Sequence, residues 1–494
     1  MVLLVEWLAW IFGITLVACS LLEAIELYEL LRWGRMGSKP ASRPSKACPF
    51  VSFHVPICSE PPEVVARTLL ALNDLDYDQF EVLVIDNNTA DDCLWKPIEQ
   101  LCLELGSRFR FFHLPVWPGY KAGALNFALQ NTAVQASLIG VVDADYEITA
   151  HYLTDITGFF EDEDVAFVQT PQDYRNWGLG RFFRMCHWEY WQVFAVSMVL
   201  RNRRNAILMH GTMSLVRKHA LQDAGAWAEW CLTEDSELGL RIHANGYRGI
   251  YVPKTYGRGL IPFSYRDYKR QRRRWVIGGV QELKRHLCFF LPWGTSGKRL
   301  SAGQKLHYLQ GWLPWFRCSV IVASMPFAIA AGAAVLLDLT PPGSLNWLGL
   351  GMVLVIVQLV LRQIIVFRLY LSLPWYDALG ASIAGCSLIW VTGCGWLTGT
   401  AMEGLVFQRT PKVPQLGPGW IGAAQNELAA GCTMLVLAIA MAAYAGAPSA
   451  GSAICLASYA LLFLPAVFMA QLSTHDPSLQ TLCGKAAQLR TNDN

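Results

Sequence analysis

Long stretches without a charged side chain alternate with stretches of mixed composition along this chain. Five of these stretches, residues 7–22, 318–337, 339–361, 378–402 and 428–474, are strongly apolar and contain no Asp, Glu, Lys or Arg. A helix that crosses a bilayer needs about 20 apolar residues. The last stretch is therefore long enough for two helices, with a turn predicted at 445–452. This pattern predicts a membrane protein.

The first charge-free stretch has two interpretations, a signal peptide or a membrane anchor. No basic segment precedes it, and no small-residue cleavage site separates it from the polar residues 23–35. We therefore predict that residues 1–35 form a retained N-terminal transmembrane anchor.

Basic residues follow this anchor closely and predict its orientation. They are Arg32, Arg35, Lys39, Arg43 and Lys46. Because loops rich in Lys and Arg stay on the cytoplasmic side, we expect residues 36–310 in the cytoplasm and the N-terminus outside. The membrane is then the inner (plasma) membrane.

The stretch 378–402 has an unusual composition for a membrane span. It contains five glycines, and if it crossed the bilayer it would place Arg409 and Lys412 outside. We therefore predict an interfacial or re-entrant segment, about five transmembrane helices and a cytoplasmic C-terminus. A six-span arrangement is the alternative.

Between the anchor and the later apolar stretches, short apolar runs alternate with helical patterns. The apolar runs Phe50–Pro56, Glu81–Asp86 and Ser137–Asp143 alternate with helical patterns at 62–73 and 96–105. This alternation predicts an α/β domain over residues 48–300, with a doubly wound, mainly parallel sheet.

Acidic residues stand at the ends of two predicted strands. Asp86 ends one of them, and Asp143 and Asp145 follow another. Ligands bind such sheets at the carboxyl ends of the strands. Two carboxylates two residues apart suit a hard divalent cation. The alternative is a pair of solvated turn acids.

A second acidic cluster, Thr233–Asp235, opens an amphipathic helical pattern at Ser236–Asn245. Acids at a helix N-terminus are stabilised by the helix dipole, which alone would explain them. The functional interpretation makes Asp235 a general base that accepts a proton from an attacking hydroxyl.

A basic run, Arg266–Arg274, precedes Trp275. On a helix, Gln271, Arg274 and Trp275 share one face. A guanidinium pairs with phosphate in a bidentate manner, and an indole can cover the apolar face of a sugar. These residues suit a nucleotide-sugar site.

Composition supports a membrane protein and excludes a disordered chain, a collagen-like fibre and a disulfide scaffold. Hydrophobic residues make up 53% of the 494 residues and charged residues only 16%, whereas soluble domains carry about 25% charged residues. The net charge of +2 predicts no nucleic-acid partner.

With these motifs in order, the chain resembles the membrane-integrated, inverting family 2 glycosyltransferases, which include the cellulose, chitin, hyaluronan and curdlan synthases. The resemblance covers about residues 48–415 and implies a GT-A fold. The motifs that carry it are Asp86, Asp143–Asp145, Gln169–Pro171, Thr233–Asp235 and Gln271–Trp275. The segment Phe407–Lys412 is similar to the gating-loop motif Phe-x-Val-Thr-x-Lys of these enzymes, with Arg409 in place of Val.

The resemblance implies a role for each matching position. Asp235 would be the catalytic base, with Glu234 and Thr233 beside it. Asp145 and Asp143 would hold Mg²⁺ or Mn²⁺, Asp86 would contact the uridine and Lys121 the diphosphate. The implied substrate-binding residues are Pro56, Glu60, Asp86, Lys121, Asp143, Gln169, His210, Gly211, Thr212, Gln271, Arg274, Trp275, Phe407, Thr410 and Lys412.

A finer likeness concerns the product. The segments His210–Ser214, Gly225–Trp230 and Tyr256–Leu260 look like the transferase domain of bacterial β-1,3-glucan synthases of the cyclic-glucan type. This likeness implies UDP-glucose as donor, a growing glucan as acceptor, and a processive β-glucan synthase that translocates its product.

Two other functions remain open. A non-processive enzyme that adds one sugar to a membrane lipid shares much of this motif set, and so do synthases of other β-polysaccharides. A transporter with a nucleotide-sensing domain is disfavoured, because we expect almost no charged residues inside the spans.

The predicted organisation has four parts. They are the anchor 1–35, the cytoplasmic GT-A domain 48–300, the membrane and interfacial helices 301–474 with a cytoplasmic gating-like loop 403–416, and a short cytoplasmic tail 475–494 without a cyclic-di-GMP-binding domain.

Overall fold

The structure is a computed structural model that describes residues 2–33, 43–44, 48–291, 300–341, 343–403, 409–414, 419–444 and 449–476. The strands are β1 Val51–Ile57, β2 Phe80–Asn87, β3 Phe109–Leu114, β4 Leu138–Val141, β5 Glu147–Ile148, β6 Val165–Gln169, β7 Asp173–Tyr174, β8 Ser214–Arg217, β9 Arg248–Tyr251 and β10 Gly257–Gly259. The helices up to the first long apolar segment after the sheet are α1 Val2–Trp33, α2 Pro62–Asn73, α3 Asp92–Leu105, α4 Tyr120–Asn131, α5 Tyr152–Ile156, α6 Arg181–Gln192, α7 Met198–Asn202, α8 Lys218–Asp223, α9 Glu234–Ala244 and α10 Tyr265–His286. The remaining helices are α11 Ala302–Leu336, α12 Asn346–Arg362, α13 Trp375–Ser387, α14 Ile389–Ala401, α15 Trp420–Tyr444, α16 Ala450–Phe463 and α17 Pro465–His475.

The main sheet has the order β3-β2-β1-β4-β8-β6-β9. All its pairings are parallel except those of β8, which runs antiparallel to both β4 and β6. All eight residues of β2 are buried, as is typical of a strand covered on both faces. The prediction of a mainly parallel sheet is confirmed.

Helices cover both faces of this sheet, and alternate residues of β2 show it. Val82 and Val84 join the core under α2 and α3. Leu83 and Ile85 instead pack with Ala124 of α4. Because successive side chains of a strand point to opposite faces, this alternation defines a doubly wound domain.

The register brings the carboxyl ends of three strands to one edge. Ile57 of β1 pairs with Asp86 of β2, and β4 ends two residues before Asp143. The acids that follow two of the predicted strands therefore lie at the same edge of the sheet.

Within the described residues, six helices are long and apolar enough to cross a membrane: Leu3–Trp33, Ala302–Leu336, Asn346–Tyr370, Trp375–Ala401, Trp420–Ala443 and Ala450–His475. They indicate membrane integration. The turn predicted at 445–452 falls in part outside the described residues; on either side of that gap α15 ends at Tyr444 and α16 starts at Ala450. The number of crossings and their orientation stay predictions.

The stretch 378–402, predicted to be interfacial or re-entrant, forms the helices α13 and α14. It is one of the six candidate spans, yet it also packs on the α/β domain. A Cβ at Gly380 of α13 would lie 2.8 Å from Met185 Cγ of α6. A Cβ at Gly399 of α14 would lie 3.1 Å from Val280 Cβ of α10. These helices therefore join the α/β domain to the apolar helices.

Candidate functional site

A cavity of ≈ 1010 Å³ opens at the carboxyl edge of the main sheet. Loops after β1 and β4, the start of α9 and one face of α10 line it. It continues between the apolar helices, where Glu23 of α1, Arg317 of α11 and Gln358 of α12 line its wall. Ligand sites commonly measure about 300–1,000 Å³, so this cavity has room for more than one bound group.

Asp143 lies in the loop after β4 and is paired with a lysine. Its Oδ1 lies 2.6 Å from Nζ of Lys121, which the first turn of α4 carries. Its backbone N–H donates to Thr212 Oγ1 at 3.1 Å. Burial opposes ionisation of Asp143, but Lys121 and Lys412 hold the pKa of its carboxyl below the usual value. The two lysines therefore favour the ionised carboxylate of Asp143.

Asp145 is buried and engaged on both carboxylate oxygens. Its Oδ2 accepts from the backbone N–H of Leu260 at 2.8 Å, and its Oδ1 lies 2.9 Å from Nζ of Lys412. The backbone amide fixes the carboxylate, and the ammonium group lies where a cation would bind. Two hard carboxylates suit Mg²⁺ or Mn²⁺.

Among the described residues, no group of three or more His, Cys, Asp and Glu side chains is placed to hold a metal ion. Asp143 and Asp145 therefore fit a cation whose remaining ligands come from a bound diphosphate and water, as is usual for Mg²⁺.

Asp235 and Glu234 form the first turn of α9. Asp235 Oδ1 accepts from the backbone N–H of Ser236 at 2.8 Å, and Glu234 Oε1 lies 3.8 Å from Lys121 Nζ. A Cβ at Gly211 (φ +71°) would lie 2.8 Å from Asp235 Oδ2 and 3.3 Å from Lys121 Nζ. The bare backbone of Gly211 therefore lies against both groups, in a conformation that favours glycine.

Burial changes the protonation of this second acidic pair. It raises the pKa of Glu234 to about 7, although Lys121 opposes the shift. Burial likewise raises the pKa of Asp235, again against the effect of Lys121. A carboxyl group with a raised pKa is a better proton acceptor, as general-base chemistry requires.

The segment before α9 is attached to α10. The backbone N–H of Leu232 donates to Gln281 Oε1 at 3.0 Å. Thr233 packs on Gly278, where a Cβ would lie 2.3 Å from its Oγ1. Helix α10 therefore sets the position of Asp235.

The same helix presents Gln271, Arg274 and Trp275 to the cavity. The indole of Trp275 lies 5.1 Å from the ring of Tyr190, and the guanidinium of Arg272 lies 4.5 Å from the indole centroid. The shared helix face predicted from the spacing of these residues is confirmed.

The loop after α14 reaches the cavity through its described residues. Arg409 Nη1 lies 2.8 Å from Oε2 of the buried Glu60, and Thr410 and Lys412 line the cavity. Phe407 lies outside the described residues.

Four predicted binding residues lie behind the cavity lining. Gln169 is fully buried, accepts from the backbone N–H of His210 at 2.9 Å and donates to the backbone oxygen of Thr212 at 3.1 Å. Asp86 is buried and accepts from Thr89 at 2.5 Å, and it lies 2.7 Å from His113 Nδ1. Thr212 and Gly211 belong to the same buried loop. In this structure these four residues support the cavity wall from behind, whereas Pro56 and His210 line the cavity itself.

The sequence interpretation missed two sets of polar residues. Glu282 of α10 lines the cavity and is only 1% exposed. The second set lies at the ends of two charge-free stretches. Arg317, just before 318–337, pairs with Glu23, just after 7–22, and Glu23 Oε2 accepts from Gln358 Nε2 at 2.7 Å. The spacing 271, 275, 279 and 282 along α10 was the available signal for Glu282.

This arrangement can bind a diphosphate, hold a divalent cation and accept a proton within one cavity. On a doubly wound sheet, these features define a GT-A glycosyltransferase. The family profile described as "Glycosyl transferase family group 2" matches residues 138–468, and the chain belongs to this family.

Two curated relatives are similar to parts of the chain. The UDP-forming catalytic component of cellulose synthase from Dictyostelium discoideum is 29% identical over 201 residues, which cover 40% of this chain and 18% of the relative. Probable glucomannan 4-beta-mannosyltransferase 11 of Oryza sativa subsp. japonica is 27% identical over 290 residues, or 56% of this chain and 48% of the relative. The chain thus aligns with less than half the length of either relative.

Among solved structures, the mannosyltransferase PcManGT from Pyrobaculum calidifontis, in complex with GDP-Man and Mn²⁺, has a similar fold. The TM-score is 0.53 at 20% sequence identity, and the match covers 77% of this chain and 99% of that chain.

Proposed function

We propose that the chain is an inverting, processive glycosyltransferase that polymerises glucose from UDP-glucose into a β-glucan and passes it through the membrane. One observation carries the proposal. Asp145, Asp235 and Trp275 line a single cavity that continues between the apolar helices. Donor binding, proton transfer and product exit would then follow one path.

The donor diphosphate binds at Asp143 and Asp145. A divalent cation held there would neutralise the charge that builds on the leaving UDP. Lys412 and Lys121 now lie on these two carboxylates. With a diphosphate and a cation bound, both ammonium groups would be free to contact phosphate oxygens, and Arg274 would supply a guanidinium to the same anion.

Asp235 accepts the proton of the acceptor hydroxyl as its oxygen attacks the anomeric carbon. The bond from this carbon to the diphosphate oxygen breaks in the same displacement, and UDP leaves with the electron pair. No second carboxylate is needed as nucleophile, so an α-linked donor gives a β-linked product. General-base catalysis contributes about 10²- to 10⁴-fold to such a step.

The product end rests on Trp275. An aromatic ring suits the apolar face of a sugar, and the cavity beyond it lies between α10 and the apolar helices. A β-1,3 linkage is proposed on the likeness to cyclic-type glucan synthases, and cellulose-, chitin- and hyaluronan-type products are the alternatives.

The test uses the full chain purified in detergent with Mg²⁺ or Mn²⁺. UDP-[¹⁴C]glucose should give an ethanol-insoluble polymer or a ladder of oligomers, with UDP-N-acetylglucosamine and GDP-mannose as parallel donors. Digestion of the product with β-1,3-glucanase and with cellulase identifies the linkage.

Two results would contradict the proposal. A single labelled glycolipid would establish the non-processive alternative. An absence of transfer and of nucleoside diphosphate release from all three donors would favour a transporter that senses nucleotides.

A further inference from the structure

Three arginine side chains surround one indole at the point where the first apolar helix ends. Trp33 is the last residue of α1 and of the first candidate span. The guanidinium carbons of Arg32, Arg203 and Arg204 lie 5.2, 5.4 and 5.9 Å from the centroid of its ring. All three arginines are exposed. These three side chains and Trp33 are called the arginine cluster below.

The arginine cluster also contacts the start of a second apolar helix. A Cβ at Gly303, in the first turn of α11, would lie 3.2 Å from Arg204 Cδ. Helix α11 is itself the candidate span Ala302–Leu336. Because one candidate span ends and another begins here, the cluster lies at the level where helices leave the bilayer.

The turn after α7, which carries two of these arginines, is held on both sides. Asn205 Oδ1 accepts from the backbone N–H of Gly249 in β9 at 2.9 Å. The backbone oxygen of Asn205 accepts from Gln304 Nε2 of α11 at 2.8 Å. Asn202, on the other side of the arginines, accepts from the backbone N–H of Tyr251 in the same strand at 2.9 Å. The arginines therefore project from a turn that is fixed to both the sheet and α11.

The protein offsets only part of the charge of the arginine cluster. Among the described residues, no carboxylate lies within 4 Å of any of the three guanidinium groups. Glu29 of α1 interacts electrostatically with Arg203 and Arg204 from a longer distance. It is buried, and its Oε2 lies 3.8 Å from His307 Nε2. One carboxylate offsets one of three positive charges, so the cluster keeps an excess of positive charge.

The other charges of this region do not remove that excess. Arg201, in α7, is buried and lines the cavity. It interacts electrostatically with Glu26 of α1, which is already paired with Arg362 at 3.0 Å. An anion from outside the protein would therefore be attracted to the exposed side of the cluster.

The chemistry of the cluster suits a phosphate group at a membrane surface. A guanidinium that stacks on an aromatic ring still presents its N–H donors at the edge, and guanidinium groups bind phosphate in a bidentate manner. Arg32 donates to the Tyr28 hydroxyl at 2.9 Å, whereas Arg203 and Arg204 form no side-chain hydrogen bond within the described residues. Tryptophan is enriched at membrane interfaces, and basic clusters beside membrane helices attract anionic lipids.

We propose that Arg32, Arg203 and Arg204 bind the phosphate of an anionic phospholipid, with Trp33 at the level of the headgroup. The partner is a lipid because the cluster lies at the ends of two apolar helices. Near these ends, Leu31 of α1 is 63% exposed and Leu309 of α11 is 47% exposed, which provides apolar surface for acyl chains. A bound lipid would join α1, the turn after α7 and α11 at one point.

The test measures lipid binding to the full chain in detergent by native mass spectrometry. Dioleoyl phosphatidylglycerol is compared with dioleoyl phosphatidylcholine, which has the same acyl chains and no net charge. Each basic residue near a membrane surface contributes about fivefold to the binding of anionic lipid. The wild type should therefore bind phosphatidylglycerol about 100-fold more tightly, and 0.5 M NaCl in the assay should weaken this preference.

Substitutions locate the site. Arg203→Gln and Arg204→Gln should each weaken phosphatidylglycerol binding about fivefold, and the triple variant with Arg32→Gln should bind the two lipids about equally. Arg108→Gln is the matched control. The guanidinium of Arg108 lies 5.2 Å from the Phe80 ring and is exposed on the α/β domain, so this variant should keep the wild-type preference.

Two results would overturn the inference: equal binding of both lipids by the wild type, or an unchanged preference in the triple variant. Glycerol 1-phosphate, which lacks acyl chains, should not displace the lipid at equal concentration. Displacement would identify a site for free phosphate and would contradict a lipid partner. The single variants keep the test valid if the triple variant does not fold. Sugar transfer is not measured, so neither result depends on the proposed function.

Discussion

Asp143 and Asp145, after strand β4, and Glu234 and Asp235, at the start of α9, are two acidic pairs that line one cavity. In the first pair each carboxylate lies within 3 Å of a lysine ammonium group, at 2.6 and 2.9 Å. In the second pair the shortest lysine distance is 3.8 Å, from Lys121 to Glu234. Against the effect of burial, Lys121 and Lys412 lower the pKa of Asp143, whereas burial raises the pKa values of Glu234 and Asp235.

The difference shows how carboxyl groups in two environments can serve two purposes, ligand binding and proton transfer. Groups whose environments push their pKa values apart are suited to different roles in one reaction. In the proposed mechanism, Asp143 and Asp145 hold the cation and the diphosphate, and Asp235 takes the proton of the acceptor. The following variants test this division.

The largest effect is expected for Asp235→Asn. Loss of the proton acceptor should lower kcat about 10²- to 10⁴-fold, while UDP binding, measured by calorimetry, should persist. Glu163→Gln, at an exposed acid outside the cavity, is the control. An Asp235→Asn enzyme with near-wild-type kcat would remove Asp235 from the chemistry.

Asp145→Asn should act on the cation instead. The affinity for Mn²⁺, measured as activity against metal concentration, should fall about 100-fold, because changes to groups that merely support a ligand already cost about 10- to 100-fold. High Mn²⁺ should restore part of the activity. The division is wrong if Asp145→Asn and Asp235→Asn have the same metal dependence.

Lys121→Met tests whether Lys121 couples the two acidic pairs. In the wild type, activity is lost as the pH falls through the pKa of Asp235, which burial raises above its ordinary value. Lys121 favours the ionised carboxylate, so its removal raises this pKa further and the acid limb of kcat/KM moves to higher pH. Activity should also fall about tenfold with the lost charge-assisted bond. Lys96→Met, at an exposed lysine, should leave the limb in place; an unshifted limb in Lys121→Met would contradict the coupling.

The smallest effect is expected for Arg409→Val, which removes the ion pair with Glu60. Burial raises the pKa of the Glu60 carboxyl, but Lys412 still opposes this shift when Arg409 is removed, so the KM for UDP-glucose should change less than about fivefold, or about 1 kcal/mol. A tenfold or larger change would place Arg409 in donor binding itself.

Much of the architecture was predictable, because local patterns encode it. Continuous apolar runs ending in acids predicted β2 and β4, and the spacing of Gln271, Arg274 and Trp275 predicted their shared helix face. Charge-free stretches marked the apolar helices.

Other features depend on tertiary contacts that no local pattern records. Gln169 was predicted to bind substrate, but whether its amide faces a cavity or a buried loop depends on where residues 210–213 return to the sheet. The pairing of Lys412 with Asp145 joins residues far apart in the chain. Glu23 and Arg317 lie at the ends of two charge-free stretches, and their pairing across two helices is likewise absent from any local pattern.

The glycine contacts of α14 have a practical consequence for anyone who wants a water-soluble form of the enzyme. Gly395 and Gly399 let α14 lie against Val276 and Val280, on the helix that also carries Arg274 and Trp275. A truncated form that keeps only the α/β domain would lack α14. It would expose apolar side chains of α10, the helix that carries Arg274 and Trp275. A water-soluble form therefore has to keep α14 or replace the apolar surface that it covers on α10.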